Sequence, residues 1–460
     1  MAQASHPPPA SVGFASMSSS SALRQLQRYE SRNVTFIDPD GSWPIVWKRA
    51  RGVRVWDEEG RGFLDLTAGF GVAAAGHAHP AVVRAGQRQL AELPHAMGDV
   101  HPHALKGRLA RELSQLTFER WSRNRPRRSA IPLEGKSIFC NSGSEAVEAA
   151  LKTAVRAAGK QDIIAFEGGY HGLGYGALNA THRAHFRERL EGQLGGFGHF
   201  APFPEAGQEA RRGPSLRQVQ RELEALIRKH PVGAILVEPF QARGGIRIPP
   251  PGFLRLLRSL CDRHGALLIL DEIYTGFGRT GKWFACEHEG VTPDVVCLGK
   301  ALTGGFPLSA CVGRSDIMDQ AWPPSNGEAI HTSTFLGNPV GCAMALAQIS
   351  ALRNERLVAR SARIGKFLLA ALQGSARDFA QAGRHVVARG VGLMAGLEFL
   401  NRDGSADANT ALGIVKQLLQ EGIIVLPEGE RSNVIGFTPP LTVSEAQLQR
   451  ATAALRRLAR

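Results

Sequence analysis

Three short stretches carry residue types that a single chemistry would need together. Val295-Val296-Cys297-Leu298-Gly299-Lys300 is an apolar run that ends on a lysine. A lysine pressed into an apolar site loses part of its preference for charge and becomes a nucleophilic amine, able to form a Schiff base. Leu267-Leu268-Ile269-Leu270-Asp271-Glu272 ends on two carboxylates. A carboxylate at the end of a buried run needs a cationic or hydrogen-bonding partner, because a bare buried charge is strongly disfavoured. Cys140-Asn141-Ser142-Gly143-Ser144-Glu145 has the S-x-x-E spacing of a capping box, and Gly143 lets the backbone approach a ligand closely. The free N–H groups and dipole of a helix start then face one point, which suits a phosphate.

Each stretch also has an ordinary reading: a solvated lysine, a carboxylate capping the next helix, a capped helix with no ligand. Taken together they meet the three demands of pyridoxal phosphate, whose aldehyde, pyridinium nitrogen and phosphate need an amine, an acid and an anion cradle.

The elements that would position these groups are legible as alternation. Short apolar runs alternate with segments of helical period, punctuated by Gly and Pro, which predicts an α/β fold with a mostly parallel central sheet flanked by helices. Strands are expected at 137–140, 162–166, 234–237, 266–270 and 295–298, and helices over 144–158 and 252–264, the second ended by Gly265. Ligands of such sheets collect beyond the carboxyl ends of the strands, where Asp271 and Lys300 fall. Residues 22–75 form a turn-rich meander. Residues 342–460 hold long Ala/Leu/Arg helices, a strand pair near 392–399 and 423–425, and a final helix after Ser444. The expected organisation is a disordered tail at 1–21, a large domain at 76–341, and a smaller α+β domain built from both chain ends, 22–75 and 342–460.

The chain has 460 residues, 43% hydrophobic and 21% charged, which excludes a disordered or fibrous protein. Its net charge of +14 keeps a nucleic-acid partner open, although clustered charge is confined to Arg120, Arg123, Arg125, Arg127 and Arg128 beside Trp121. The six cysteines form no C-x-x-C pair, so neither a disulfide framework nor a metal site is expected, and reduced thiols point to the cytoplasm. The first 21 residues lack the basic start and apolar core of a secretory signal, and no run approaches a membrane span.

The order NSGSEA, GGYHG, VEPFQ, LILDEIYTGFGRTG, LGKALTGG and HTSTFLGNP resembles the class III pyridoxal-phosphate aminotransferases, the group of ornithine, acetylornithine, 4-aminobutyrate and ω-amine transaminases, from about residue 30 to 445. The resemblance implies a fold-type I architecture and a homodimer with active sites at the interface. It implies that Lys300 forms the Schiff base and moves the proton, and that Asp271 pairs with the pyridinium nitrogen. Ser142, Gly143 and Ser144 would bind phosphate, Tyr170 and Ile273 would pack on the two ring faces, and Thr334 would reach the phosphate of the neighbouring subunit. Glu238 and Gln241 would lie close to the cofactor, as would His171 in a structural role.

Three departures from the family pattern bear on substrate. Relatives that handle α-amino acids carry an arginine for the carboxylate where this chain has Gly436, and a glutamate where it has Arg243. Tyr274 stands where many relatives have a glutamine. Losing a guanidinium fork removes a bidentate carboxylate site. Arg243 is therefore expected to bind the carboxylate of a keto acid, with space beside Gly436 for a bulky or uncharged amine and an apolar lining from Trp43, Phe70 and Val72. The implied reaction is ping-pong transfer between an amine or ω-amino compound and a 2-oxo acid. Alternatives are a racemase, epimerase, aminomutase or decarboxylase on the same scaffold, or a non-catalytic cofactor- or nucleic-acid-binding protein.

Overall fold

A computed structural model describes residues 17–39, 41–123, 134–206 and 213–459. Arg125, Arg127 and Arg128, and residues 1–16 of the expected tail, lie outside the described residues. A helix, Ser19–Tyr29, begins inside the segment read as tail.

The centre is a seven-stranded sheet in the order Gly135–Cys140, Ser309–Arg314, Val295–Leu298, Leu267–Asp271, Val232–Val237, Asp162–Phe166, Gly198–Ala201. Ser309–Arg314 runs antiparallel to both neighbours, and the other pairings are parallel. Val232–Val237 and Leu267–Asp271 are buried at every position, as strands covered on both faces must be. Alternation sorts their side chains. Ile235, Val237, Leu268, Leu270, Val296 and Leu298 enter one core, whereas Ala234, Leu236, Leu267, Ile269, Val295 and Cys297 enter a second core on the other face. Gly143–Ala158 presents Ala146, Val147, Ala150 and Ala154 to that second core, and Gly159 in the left-handed conformation ends it.

Two smaller sheets complete the fold. Trp47–Arg51, Arg54–Asp57 and Gly62–Asp65 form an antiparallel meander, onto which Ile423–Ile424 pairs in parallel, with Ile423 opposite Leu64 and Ile424 opposite Asp65. Early and late parts of the chain thus share one sheet. The other antiparallel sheet runs His385–Val391, Met394–Leu400, Val434–Phe437, Leu426–Glu428. Two expectations need correction here. Residues 423–424 do not pair with the strand near 392–399, which instead pairs with His385–Val391 and Val434–Phe437. A boundary at 341/342 falls inside a continuous helix, Pro339–Asn354, whose amino end is held by the Asn338 side chain accepting from Val340 and Gly341.

Candidate active site

Six strands of the central sheet point their carboxyl ends at one edge, and five of the following loops meet there around a cavity of about 330 Å³. Lys300 arrives directly after Val295–Leu298 and Gly299 with a φ of 38°, a left-handed backbone that a lysine rarely adopts. Its Nζ sits 4.7 Å from the centre of the Tyr274 ring. Burial pushes the Lys300 ammonium below the ordinary lysine range, while Asp271 and Glu238 nearby hold part of its charge.

Asp271 is the last residue of its strand and only 4% exposed. Its Oδ2 accepts from His171 Nδ1 at 2.8 Å and its Oδ1 from the Ile273 N–H at 3.1 Å. His171 is fixed in turn: its N–H donates to Thr181 Oγ1, whose hydroxyl donates to the Gly172 carbonyl. Sequence reasoning named His171 as structural and missed this contact, which joins residues 100 positions apart. Glu272 is different. It turns away and accepts from Thr275 Oγ1 and from the N–H groups of Ala285 and Cys286, so it braces the following loop.

The helix start at Gly143 supplies the expected cradle with one change. Ser142 caps the helix by accepting from the Glu145 N–H at 3.3 Å, but the Glu145 carboxylate takes the N–H of Asn141, so the capping box is incomplete. Gly143 comes close to its neighbour, since a Cβ there would lie 3.0 Å from Ile273 Cδ1 and that side chain would have to give way. Gly172, at φ +121°, passes so near that its Cβ would lie 2.5 Å from Ser144 Oγ. Ser144 Oγ accepts from the Gly174 N–H at 3.0 Å, tying the GGYHG loop to the helix start.

The remaining wall comes from Tyr170, Glu238, Ala242, Arg243, Ile273 and Tyr274. Glu238 accepts from the Tyr170 and Ala242 N–H groups, both at 3.0 Å, and burial raises its pKa. Arg243 stacks over the Tyr170 ring at 4.7 Å and makes no ion pair among the described residues. The Tyr274 hydroxyl is bonded to Thr438 Oγ1 at 3.1 Å, and it is the ring of Tyr274 that meets Lys300.

Several expected residues lie elsewhere. Gln241 is fully engaged in structure, donating to the Glu167 carbonyl and accepting from Arg247. Trp43 and Phe70 line a separate apolar cavity with Leu426, and Val72 lines neither cavity. Thr334 is exposed and outside the cavity wall. The space expected beside Gly436 is filled: a Cβ there would lie 2.8 Å from Glu428 Cγ. Glu428 was not among the residues singled out from sequence. Arg120 and Trp121 of the basic cluster both bond to Glu287, and Arg123 is exposed. Among the described residues, one potential metal-binding group, Asp162 with His199 and His230, lies apart from the cavity wall, with both imidazoles on the same Asp162 oxygen.

These features fit pyridoxal phosphate. The cradle of Gly143 and Gly172 leaves backbone N–H groups clear of side chains, Asp271 presents a braced carboxylate, and Lys300 is a buried amine with weakened charge. Fold and site therefore define a fold-type I pyridoxal-phosphate enzyme.

Comparison with known proteins gives the family. The family model for class-III aminotransferases matches residues 37–458, so this chain belongs to that family. It is 37% identical over 414 residues to an acetylornithine aminotransferase from Methanopyrus kandleri, covering 90% of this chain and 94% of that one. An amine transaminase from an uncultivated Pseudomonas species, solved in its PLP-bound form, is 28% identical with a TM-score of 0.82, covering 94% of this chain and 98% of that one. The ornithine aminotransferase of Toxoplasma gondii is 27% identical with a TM-score of 0.80, covering 96% and 95%. The protein is a transaminase that uses pyridoxal phosphate.

Proposed function

We propose that this transaminase moves an amino group from an amine or ω-amino compound to a 2-oxo acid, with Lys300 and Asp271 as its catalytic pair. The observation that carries the assignment of roles is the convergence of Lys300, the His171-braced Asp271 and the Gly143 helix start on one cavity. Bound pyridoxal phosphate supplies an aldehyde that condenses with amines and a ring that accepts electron density from the substrate carbon. Gly143 and Ser144 would hold its phosphate through backbone N–H groups. Asp271, oriented by the hydrogen bond from His171, would pair with the ring nitrogen. Lys300 Nζ would carry the proton, and burial weakens its hold on positive charge, which favours the free amine that a base must be. Tyr170 and Ile273, both on the cavity wall, would pack against the cofactor ring, and Glu238 fixes the Tyr170 loop.

Arg243, stacked but unpaired, is placed to bind the carboxylate of the 2-oxo acid. A homodimer is part of the same reading. Ile330 and Phe335, 61% and 56% exposed in the single chain, flank Thr334, which supports a second copy covering this segment and bringing Thr334 to the partner's cofactor. Six buried, unpaired cysteines suit a reducing cytoplasm, and no helix among the described residues is long and apolar enough to cross a membrane.

The test is a single-turnover absorbance experiment on the holoenzyme with no 2-oxo acid present, comparing alanine, glutamate, 4-aminobutyrate, β-alanine and simple amines. Conversion of the bound cofactor to its amino form by amines or ω-amino acids, and slow or absent conversion by glutamate, is the expected outcome. An unchanged cofactor spectrum with every donor, accompanied by solvent exchange of substrate α-protons, would overturn it in favour of a racemase or epimerase.

A further inference from the structure

Resting on the transaminase reading above, we infer that Glu428 is a receptor for a second ammonium group, so that the preferred donors are diamines or amino compounds with a distal cationic amine.

Glu428 closes the short edge strand Leu426–Glu428, opposite Val434 in the antiparallel pairing, and its side chain runs across the face of Gly436. It is 7% exposed, yet its carboxylate has no hydrogen bond and no ion pair among the described residues. A buried carboxylate without a partner is a costly arrangement that a bound cation would relieve. The segment is anchored at the cavity, because the Gly429 N–H donates to the Arg243 carbonyl at 3.1 Å. Glu428 is not itself among the residues that line the cavity, but it is near enough to three that are, Lys300, Arg243 and Tyr274, for charge to act between them. Gly436 leaves this carboxylate uncovered, since any larger side chain there would displace Glu428 Cγ. A donor amine held at Lys300 that carries a second ammonium can therefore set that charge against Glu428, whereas a monoamine leaves the acid unpaired.

Burial pushes the Glu428 carboxyl up to about 7, while Arg243, Lys300 and Arg183 pull it down and Glu238 works in the same direction as burial. The receptor is consequently ionised above neutrality and neutral below it. Preference for a diamine over a monoamine is expected to grow as pH rises through this range.

The experiment uses holoenzyme and compares butane-1,4-diamine with butylamine as donors at pH 6 and pH 8. Wild type is expected to favour the diamine in kcat/KM by about 10- to 100-fold at pH 8, the range of one charged hydrogen bond, and less at pH 6. In Glu428→Gln the ratio is expected to fall close to one at both pH values. A second readout needs no turnover. N,N,N′,N′-tetramethylbutane-1,4-diamine has no primary amine to transfer, and it should raise the melting temperature of wild type but not of Glu428→Gln, whose own melting temperature without ligand checks its folding. Equal use of diamine and monoamine by wild type, or a diamine preference that survives in Glu428→Gln, overturns the assignment. Failure of every donor to convert the cofactor would instead count against the transaminase reading itself.

Discussion

His171→Phe isolates what the buried histidine does for Asp271. Phenylalanine keeps an aromatic ring in the pocket but removes the Nδ1–H that donates to Asp271 Oδ2 at 2.8 Å. Asp271 would then be left with one donor, the Ile273 N–H, in a place where the carboxylate is only 4% exposed. A hydrogen bond to a charged group contributes about 1.5–3 kcal/mol, and a buried acceptor left unpaired adds to the loss. The variant is therefore expected to lose about 2–3 kcal/mol, read either as unfolding free energy in urea or as an approximately 30- to 150-fold rise in the dissociation constant of pyridoxal phosphate. His171→Asn supplies the control, because its amide nitrogen can take a position close to that of Nδ1 and still donate. Equilibrium dialysis against graded cofactor, with kcat on one good donor, distinguishes the two. If His171→Phe binds cofactor as wild type does, or if His171→Asn is as impaired as His171→Phe, His171 does not position Asp271 and the contact is incidental.

Three further outcomes are expected. In cofactor-free protein the lowered Lys300 pKa means that the unfolded chain binds more protons between that value and the ordinary lysine value, so stability should rise with pH across this window; Lys300→Met should flatten that limb of a urea-denaturation series and abolish amino transfer. Glu272→Gln would turn an amide NH₂ toward one of three donors, costing about 2 kcal/mol in urea denaturation while leaving single-turnover rates near wild type. Gly436→Arg alone should fail to create a site for α-carboxylates, because the new guanidinium begins beside Glu428 and pairs with it; glutamate turnover that appears in the single variant, without a change at Glu428, would contradict this.

The parts of the site that were legible in the sequence share one physical property. Asp271 and Lys300 each end an apolar run, and strands buried on both faces keep such runs free of polar residues until the carboxyl edge is reached. The helix start at Gly143 was visible for a related reason, as a break between two patterns. Ser309–Arg314 escaped notice because its sequence, SACVGR, contains small residues and little β-branching, although it is the antiparallel strand that sets Gly135–Cys140 in register. The His171–Asp271 contact joins two loops through the stacking order of the sheet, which periodicity does not specify. Glu428, just before GERSN, carries no signal in the sequence that would single it out. Only the pairing of a three-residue edge strand with Val434–Phe437 turns it inward. Trp43 and Phe70 were expected in the substrate space because the family resemblance puts their stretches there, and they do form an apolar cavity, but a separate one shared with Leu419, Ile424 and Leu426.

The position of Glu428 changes what the missing arginine means. An arginine-to-glycine difference at 436, read alone, suggests an emptier and less polar pocket. In the structure the volume is occupied by a carboxylate, so the polarity of this corner is changed in sign and the space is not opened. Arg243 then completes the inversion, placing a cation where related chains place a glutamate. Arg243 lines the cavity and Glu428 lies on a neighbouring segment held to it by the Gly429–Arg243 backbone bond, yet the two are not joined as an ion pair, so under this proposal the cation is free for a carboxylate and the acid free for an ammonium. That division suits a ping-pong enzyme, in which a cationic donor and an anionic acceptor enter the same space in turn: each can use the group that its charge favours, and each is disfavoured by the other.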